Sequence, residues 1–377
     1  MLISRRKALL SAAAASGLVA TRRAHAADTI KIGVVSPLTG PAAQVGAIQL
    51  NSCKLAADEV NAAGGVLGKQ IELVIEDDAT TNPGAVLAFS RLAGNPEMVG
   101  FIGSIRSTQV NAMAPDVAKV GKPMMFGGTD PTLTHNGYKW LFRCRPNDSY
   151  SGKVIADFGI NTLGKKKWAV VHSTDAFGTG GKNAMVDALG ALGVTATLLQ
   201  GYSNQQADFT PVVLAVKQAE ADVLCTYFTF EPDLGVFARQ LRQLGVRIPW
   251  IGSPSIASPV TMGLAKNALY GTFGVADFLT DANPQAVAFT EAYRKRHKED
   301  PDSGWTYDGL HILANAINTA GSTDPEKIRA AILALKGYKG TEGEYNYDAN
   351  GDGLHGYNIE ENVNGTKVFK KHIEFAS

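Results

Sequence analysis

The chain has 377 residues, 45% of them hydrophobic and 19% charged, with 36 Lys and Arg against 35 Asp and Glu. That is an ordinary globular composition in a chain too long for one hydrophobic core, so two domains are expected. The near-neutral balance lacks the basic face that a nucleic-acid partner requires, and that class is excluded.

Residues 1–26 read as a targeting segment. Arg5, Arg6 and Lys7 form a positive start, Leu9 to Ala20 is apolar, and Ala24-His25-Ala26 fits a small-x-small cleavage site. Ser4-Arg5-Arg6-Lys7 fits a twin-arginine signal; a general secretory signal and an uncleaved anchor are the alternatives. No Cys stands at the cleavage point, which argues against a lipoprotein. Removing the segment leaves 31 basic against 35 acidic side chains, and no later stretch is long and apolar enough to span a bilayer. A periplasmic location, with no membrane insertion, is the expectation.

Ile30 to Val35 is a short apolar strand, followed by a loop from Ser36 to Gln44. Val45 to Ala63 has helical periodicity and stops at Gly64-Gly65. Gln70 to Ile75 is a strand, and Asn82-Pro83 starts a helix with Asn as cap and Pro at the first position. Met98 to Gly103 and Pro123 to Phe126 are further strands. The pattern then repeats: strands at Trp168 to His172, Val194 to Leu199, Asp222 to Phe228 and Pro249 to Gly252, with helices at Gly178 to Leu192, Asp208 to Ala219 and Asp233 to Leu244. Helices at Pro284 to Lys298 and Trp305 to Ala320 follow. The end is β-like, with Thr341 to Tyr347, His355 to Glu361 and Lys367 to Glu374. This alternation predicts an α/β protein with parallel sheets covered on both faces.

In such sheets ligands sit beyond the carboxyl ends of the strands. The loops there are Ser36 to Val45, Ser104 to Gln109, Gly127 to Asp130, Ser173 to Phe177, Thr229 to Asp233 and Ser253 to Ser255. They are rich in Gly, Ser and Thr beside helix N-termini, which suits anions; ordinary turn chemistry is the alternative for any one of them.

Catalytic and metal motifs fail on inspection. There is no G-x-S-x-G, H-E-x-x-H or C-x-x-C. Gly178-Thr179-Gly180-Gly181-Lys182 lacks the first glycine of a phosphate loop, because position 176 is Ala, and Asn183 follows the lysine. Asp348 to Gly353 imitates a calcium loop, but the twelfth position is Ile359 where a bidentate Glu belongs, so a hairpin turn is expected. Cys53, Cys144 and Cys225 lie far apart and read as buried free thiols, with one disulfide plus a free thiol as the alternative.

Several segments in order carry a resemblance: Ile32 to Pro41, Asp58 to Gly68, Glu76-Asp77-Asp78, Ser107-Thr108-Gln109, Gly178, and Asp348 to Asp352. Across nearly the whole mature chain the sequence resembles the leucine/isoleucine/valine-binding family of ABC importers. The resemblance implies a type I periplasmic binding fold: two doubly wound, Rossmann-like α/β lobes joined by three crossover strands. It places lobe 1 at 28–146 plus 276–347 and lobe 2 at 147–275 plus 348–377. It implies no enzymatic activity and no cofactor or metal. It also implies a monomer that closes on a small-molecule ligand and docks on membrane permease subunits.

The resemblance locates the cleft at Ile105, Arg106 and Ser107 in one loop and Gly127, Gly128 and Thr129 in another. Thr129 falls on a carboxylate-binding position, whereas Ile105 replaces a hydroxyl residue. Phe177 and Phe230 fall on aromatic positions across the cleft, and Val45 on a wall position. The acidic residue that meets an ammonium falls on Pro254, beside Ser255, with Glu231 or Asp175 as substitutes. A family disulfide falls on Thr80 and Ser104 and is therefore missing. A buried ammonium without a carboxylate is costly. The preferred ligand is therefore a small organic acid or amide with an apolar or aromatic body, its carboxylate facing Arg106; an Arg106 that points to solvent at a helix start is the alternative. A branched-chain or hydrophobic amino acid is the runner-up, and a ligand sensor is the alternative to an importer receptor.

Overall fold

Two sheets organise the chain, and the structure, a computed structural model, describes residues 29–375. The targeting segment lies outside the described residues. The first half holds strands β1 (Ile30–Ser36), β2 (Ile71–Asp77), β3 (Met98–Ile102), β4 (Met124–Phe126) and β5 (Leu141–Arg143). Its helices are α1 (Ala43–Ala62), α2 (Asn82–Ala93), α3 (Ser107–Val120) and the short α4 (Thr132–His135). The second half repeats the scheme with α5 (Asp148–Asp157), β6 (Trp168–Ser173), α6 (Ala176–Ala191), β7 (Leu198–Tyr202), α7 (Thr210–Gln218), β8 (Val223–Tyr227), α8 (Glu231–Gln243), β9 (Trp250–Gly252), α9 (Pro259–Ala265) and β10 (Phe273–Ala276). Helices α10 (Pro284–His297), α11 (Trp305–Ala320) and α12 (Pro325–Leu333) follow, then β11 (Tyr338–Lys339), β12 (Glu344–Tyr345), β13 (Gly356–Val363) and β14 (Thr366–Glu374).

The first sheet runs β2-β1-β3-β4-β5, all parallel. The second runs β14-β13-β10-β9-β8-β6-β7, in which β6 to β10 are parallel and β13 and β14 are antiparallel additions. Both parallel portions share one order, so each lobe has a topological switch point, β1/β3 and β6/β8, where a crevice opens at the strands' carboxyl ends.

Alternation along β1 explains the two-faced burial. Ile30, Ile32 and Val34 join a core with α1, α11 and α12, while Val35 joins the opposite core with α2 and α3. In the second sheet Ala169 and Val171 meet α7 and α8, and Trp168 and Val170 meet α5, α6 and β13. Helices α10 to α12 therefore return to the first lobe, and β13 and β14 to the second. The chain crosses between lobes at 143–148, 276–284 and 347–356, which gives the doubly wound, two-lobed architecture with three crossovers.

Those crossings are fastened together. Buried Arg143 holds Asp352 at 2.7 Å and donates to the carbonyls of Gly128 and Asp130. Asp352 also accepts from Asn147 at 2.9 Å and Thr134 at 3.1 Å. Arg145 pairs with Asp277, and the Tyr357 hydroxyl donates to the Pro146 carbonyl at 2.7 Å. The calcium-like turn is thus an anchor: Asp348 Oδ1 accepts from the N–H groups of Asn350, Gly351 and Asp352.

Some elements differ from expectation. The cap of α2 is Thr81, whose hydroxyl accepts from Gly84 N at 3.0 Å, so Asn82 is already helical. The strand expected at Val194 to Leu199 sits later, at β7, where Leu198 pairs with Ala169. Thr341 to Tyr347 shrinks to the two-residue β12, because the buried Asp308 carboxylate takes the N–H groups of Thr341 and Glu342 at 2.9 and 3.1 Å. The phosphate-loop look-alike lies in α6. A Cβ on Gly178 would sit 2.1 Å from the Ser173 carbonyl oxygen, and one on Gly181 2.0 Å from the Tyr227 ring, so close packing requires both glycines. Cys53, Cys144 and Cys225 are buried and free, which removes the disulfide alternative. Among the described residues no helix is long and apolar enough to cross a membrane.

Candidate ligand-binding cleft

The carboxyl ends of both sheets face a cleft that encloses about 650 Å³, counting its part open to solvent. Ile105, Arg106, Ser107, Thr129, Phe177 and Ser255 line it, together with Pro254. Gly127, Gly128 and Phe230 stand behind the wall. A Cβ on Gly127 would lie 2.7 Å from the Trp305 ring, the Gly128 carbonyl is held by Arg143, and buried Phe230 lies under the Arg106 guanidinium at 5.4 Å. Val45 is buried and outside the lining.

The first-lobe wall is built on the start of α3. Its cap residue, Arg106, makes no side-chain cap bond, so the first-turn N–H groups keep their capacity for an anion. The Ser107 hydroxyl accepts from Asp130 N at 3.1 Å, which ties this turn to the Gly127–Asp130 loop. Thr129 donates to Asp148 at 2.8 Å. Asp148 is fully buried, and burial pushes its carboxyl up to about 7 against the hydroxyls of Thr129 and Ser151. Where a bridge between Thr80 and Ser104 is missing, hydrogen bonds serve instead: Ser104 donates to Asp78 at 3.2 Å, and Thr80 donates to the Thr39 carbonyl at 2.6 Å. Burial raises Asp78 to about 6.

Arg106 does not point to solvent. It crosses the cleft to the second lobe, with Nη2 at 2.7 Å from Glu231 Oε2 and Nη1 donating to the Thr229 carbonyl. Both side chains are nearly buried, at 8% and 5% exposure. Arg106 is thus a bond between lobes, and Glu231 already has its cation. Asp175, the other substitute, caps α6 by accepting from Gly178 N at 3.0 Å and lies outside the lining.

Residues that sequence reasoning missed complete the wall: Arg145, Asp277 and Phe278 from the crossovers, Asp302 and Ser303 from the loop before α11, and Lys367 from β14. Asp277 and Phe278 follow β10, so the rule about strand carboxyl ends could have found them. No local pattern marks Asp302 and Ser303. Arg145 is buried yet held above its ordinary range by Asp277. Burial pushes the Asp302 carboxyl up to about 6, aided by Glu231 and opposed by Lys367 and Arg145. Among the described residues no three His, Cys, Asp or Glu side chains gather as metal ligands.

The cleft therefore offers hydrogen-bond donors at the start of α3, carboxylates from Glu231, Asp277 and Asp302, and apolar surface from Ile105, Phe177, Ala257 and Phe278. Such a site binds and orients a small molecule.

Known proteins share this design. The family model described as periplasmic binding protein matches residues 29–361. An amino acid binding protein of Pseudomonas aeruginosa is 30% identical over 354 residues, covering 92% of this chain and 93% of that one. The leucine-, isoleucine-, valine-, threonine- and alanine-binding protein of the same organism is 28% identical, covering 87% and 88%. The crystal structure of a leucine binding protein, LivK, from Thermotoga maritima superposes with a TM-score of 0.86 at 26% identity, covering 92% of this chain and 99% of that one. The two crevices, the three crossovers and these matches have one reading: the chain belongs to the periplasmic binding protein family.

Proposed function

We propose that this chain is the extracytoplasmic receptor of an ABC importer and that it closes on a hydrophobic amino acid, the branched-chain type first among them. The observation that carries this reading is the presence of an anion-binding turn and an uncommitted acid on one cleft. The uncapped start of α3 suits a carboxylate, and Glu231, Asp277 and Asp302 put acidic side chains on the same cleft. Pro254 leaves its loop without an acid for an ammonium, and Asp302, from another segment, lies on the same cleft. The names of the two Pseudomonas aeruginosa relatives support the same ligand class. The ligand binds one lobe, bridges both, and shifts the population toward the closed form by its differential affinity for that form. The closed form then docks on permease subunits.

The test is a thermal-shift and calorimetry series on the mature protein with leucine, isoleucine, valine, 4-methylpentanoate, benzoate and simple amides. A ligand at 100 times its Kd stabilises by about 2.7 kcal/mol. Leucine, isoleucine or valine giving the largest shift supports the proposal. The largest shift from 4-methylpentanoate, benzoate or an amide restores the organic-acid reading and defeats it.

A further inference from the structure

Three carboxylates line the cleft, and they are not equivalent. Glu231 is committed to Arg106 at 2.7 Å, and Asp277 is committed to Arg145. Asp302 has no hydrogen bond or ion pair among the described residues. Beside it, Ser303 is 5% exposed, lines the same wall, and leaves its hydroxyl without a partner. An unpaired carboxylate next to a buried, unsatisfied hydroxyl is an unstable arrangement unless a polar cation completes it.

We infer that Asp302, with the Ser303 hydroxyl beside it, receives the ammonium group of the ligand and sets the preference for amino acids over their des-amino analogues. The inference rests on the amino-acid reading above and assigns its cationic end. Pro254 leaves the opposite loop without an acid, and the loop before α11 supplies one from the first lobe's side. The charged groups acting on Asp302 are Glu231 and Asp277, which repel its charge, and Lys367 and Arg145, which favour it. Lys367 lines the cleft too but forms no ion pair with Asp302. A ligand ammonium brought against Asp302 outweighs the repulsion at short range, and the ligand carboxylate then lies toward the start of α3. Burial already holds the Asp302 carboxyl at about 6, so leucine binding weakens as pH falls through that value.

The experiment measures Kd for leucine and for 4-methylpentanoate in the wild type, Asp302→Asn and Ser303→Ala. Asp302→Asn is isosteric, and far-UV circular dichroism with a melting curve confirms its fold. Leucine affinity should fall about 30-fold or more in Asp302→Asn, the loss typical of stripping one partner from a buried charge pair. Affinity for 4-methylpentanoate should stay within about threefold or improve, because no ammonium is involved. Ser303→Ala should cost leucine about three- to tenfold. The fall in leucine affinity between pH 7 and pH 5 should vanish in Asp302→Asn. A variant that binds leucine as the wild type does overturns the inference and leaves the amino-acid receptor standing. A wild type that prefers 4-methylpentanoate overturns the receptor reading and the inference with it. Equal losses for both ligands in Asp302→Asn reduce Asp302 to a scaffold residue and also overturn the inference.

Discussion

Glu231→Gln should open the molecule. Its carboxylate is the partner that Arg106 finds only when the lobes meet, at 2.7 Å and with both side chains nearly out of water. With glutamine there, closure strands a guanidinium against a neutral amide, the Thr229 carbonyl and the Phe230 ring. Removing one member of a buried, hydrogen-bonded charge pair costs about 2–5 kcal/mol. That cost falls on the closed form alone, because Arg106 in an open cleft is hydrated. The closed-to-open ratio should therefore drop about 30-fold or more. Small-angle scattering should show a larger radius of gyration, and leucine should dissociate faster, with most of the affinity loss in the off-rate. A double change, Arg106→Met with Glu231→Met, should recover much of the closure, because neither charge is then stranded; the Thr229 carbonyl still loses its donor. Two results refute the reasoning: a single variant with unchanged scattering and off-rate, or a double variant that closes less well than the single one.

Arg143→Leu should destabilise by about 3–5 kcal/mol, since it leaves Asp352 buried and unpaired. At about 2.1 cal/mol/K per residue over some 350 residues, with both lobes melting together, that is a drop in Tm of roughly 4–7 °C. Calorimetry checks it. Asp148 binds a proton in the folded state up to about pH 7, well above its ordinary value of 3.8. Its stabilising protonation is complete below about pH 4 and is lost as pH rises through 7. Burial of His172 acts in the opposite sense. The comparison of Asp148→Asn with wild type isolates the carboxyl: the decline of Tm from pH 5.5 to pH 8 should be shallower in the variant. Burial pushes Cys53 up to about 12 and raises Cys144 and Cys225 as well. Ellman's reagent at pH 8 should therefore find no reactive thiol in the folded protein and all 3 after denaturation.

Periodicity made much of the fold legible. The helix read as Trp305 to Ala320 has those bounds, because its apolar stripe and the following Gly321 agree. The βα alternation led directly to the parallel sheets. Strand β5 is absent from the elements read in chain order, although Cys144 sits in an apolar, strand-like run, because Leu141-Phe142-Arg143-Cys144-Arg145 interleaves two arginines with its apolar residues. Both arginines are buried by partners 209 and 132 residues away, Asp352 and Asp277. The cleft divided in the same way. Loops after strands pointed to Ser107, Thr129, Phe177 and Ser255, whereas Asp302 and Ser303 reach the cleft from a loop that precedes a helix. Arg106 was legible as a cleft residue, but its engagement with Glu231 required the two lobes to be seen together.

Arg143 with Asp352, Arg145 with Asp277, and Tyr357 with Pro146 make three separate crossings behave as one joint. Independent linkers would let one lobe twist, slide and bend against the other, and a ligand would have to restrain all of those motions. A joint fastened at each leaf should restrain twist and slide more than the swing that opens the cleft. The orientational entropy that recognition would otherwise consume has largely been surrendered before any ligand arrives. On the proposed receptor function, a membrane partner that probes both lobes would then have one angle to read, and occupancy would be conveyed as a position along one coordinate.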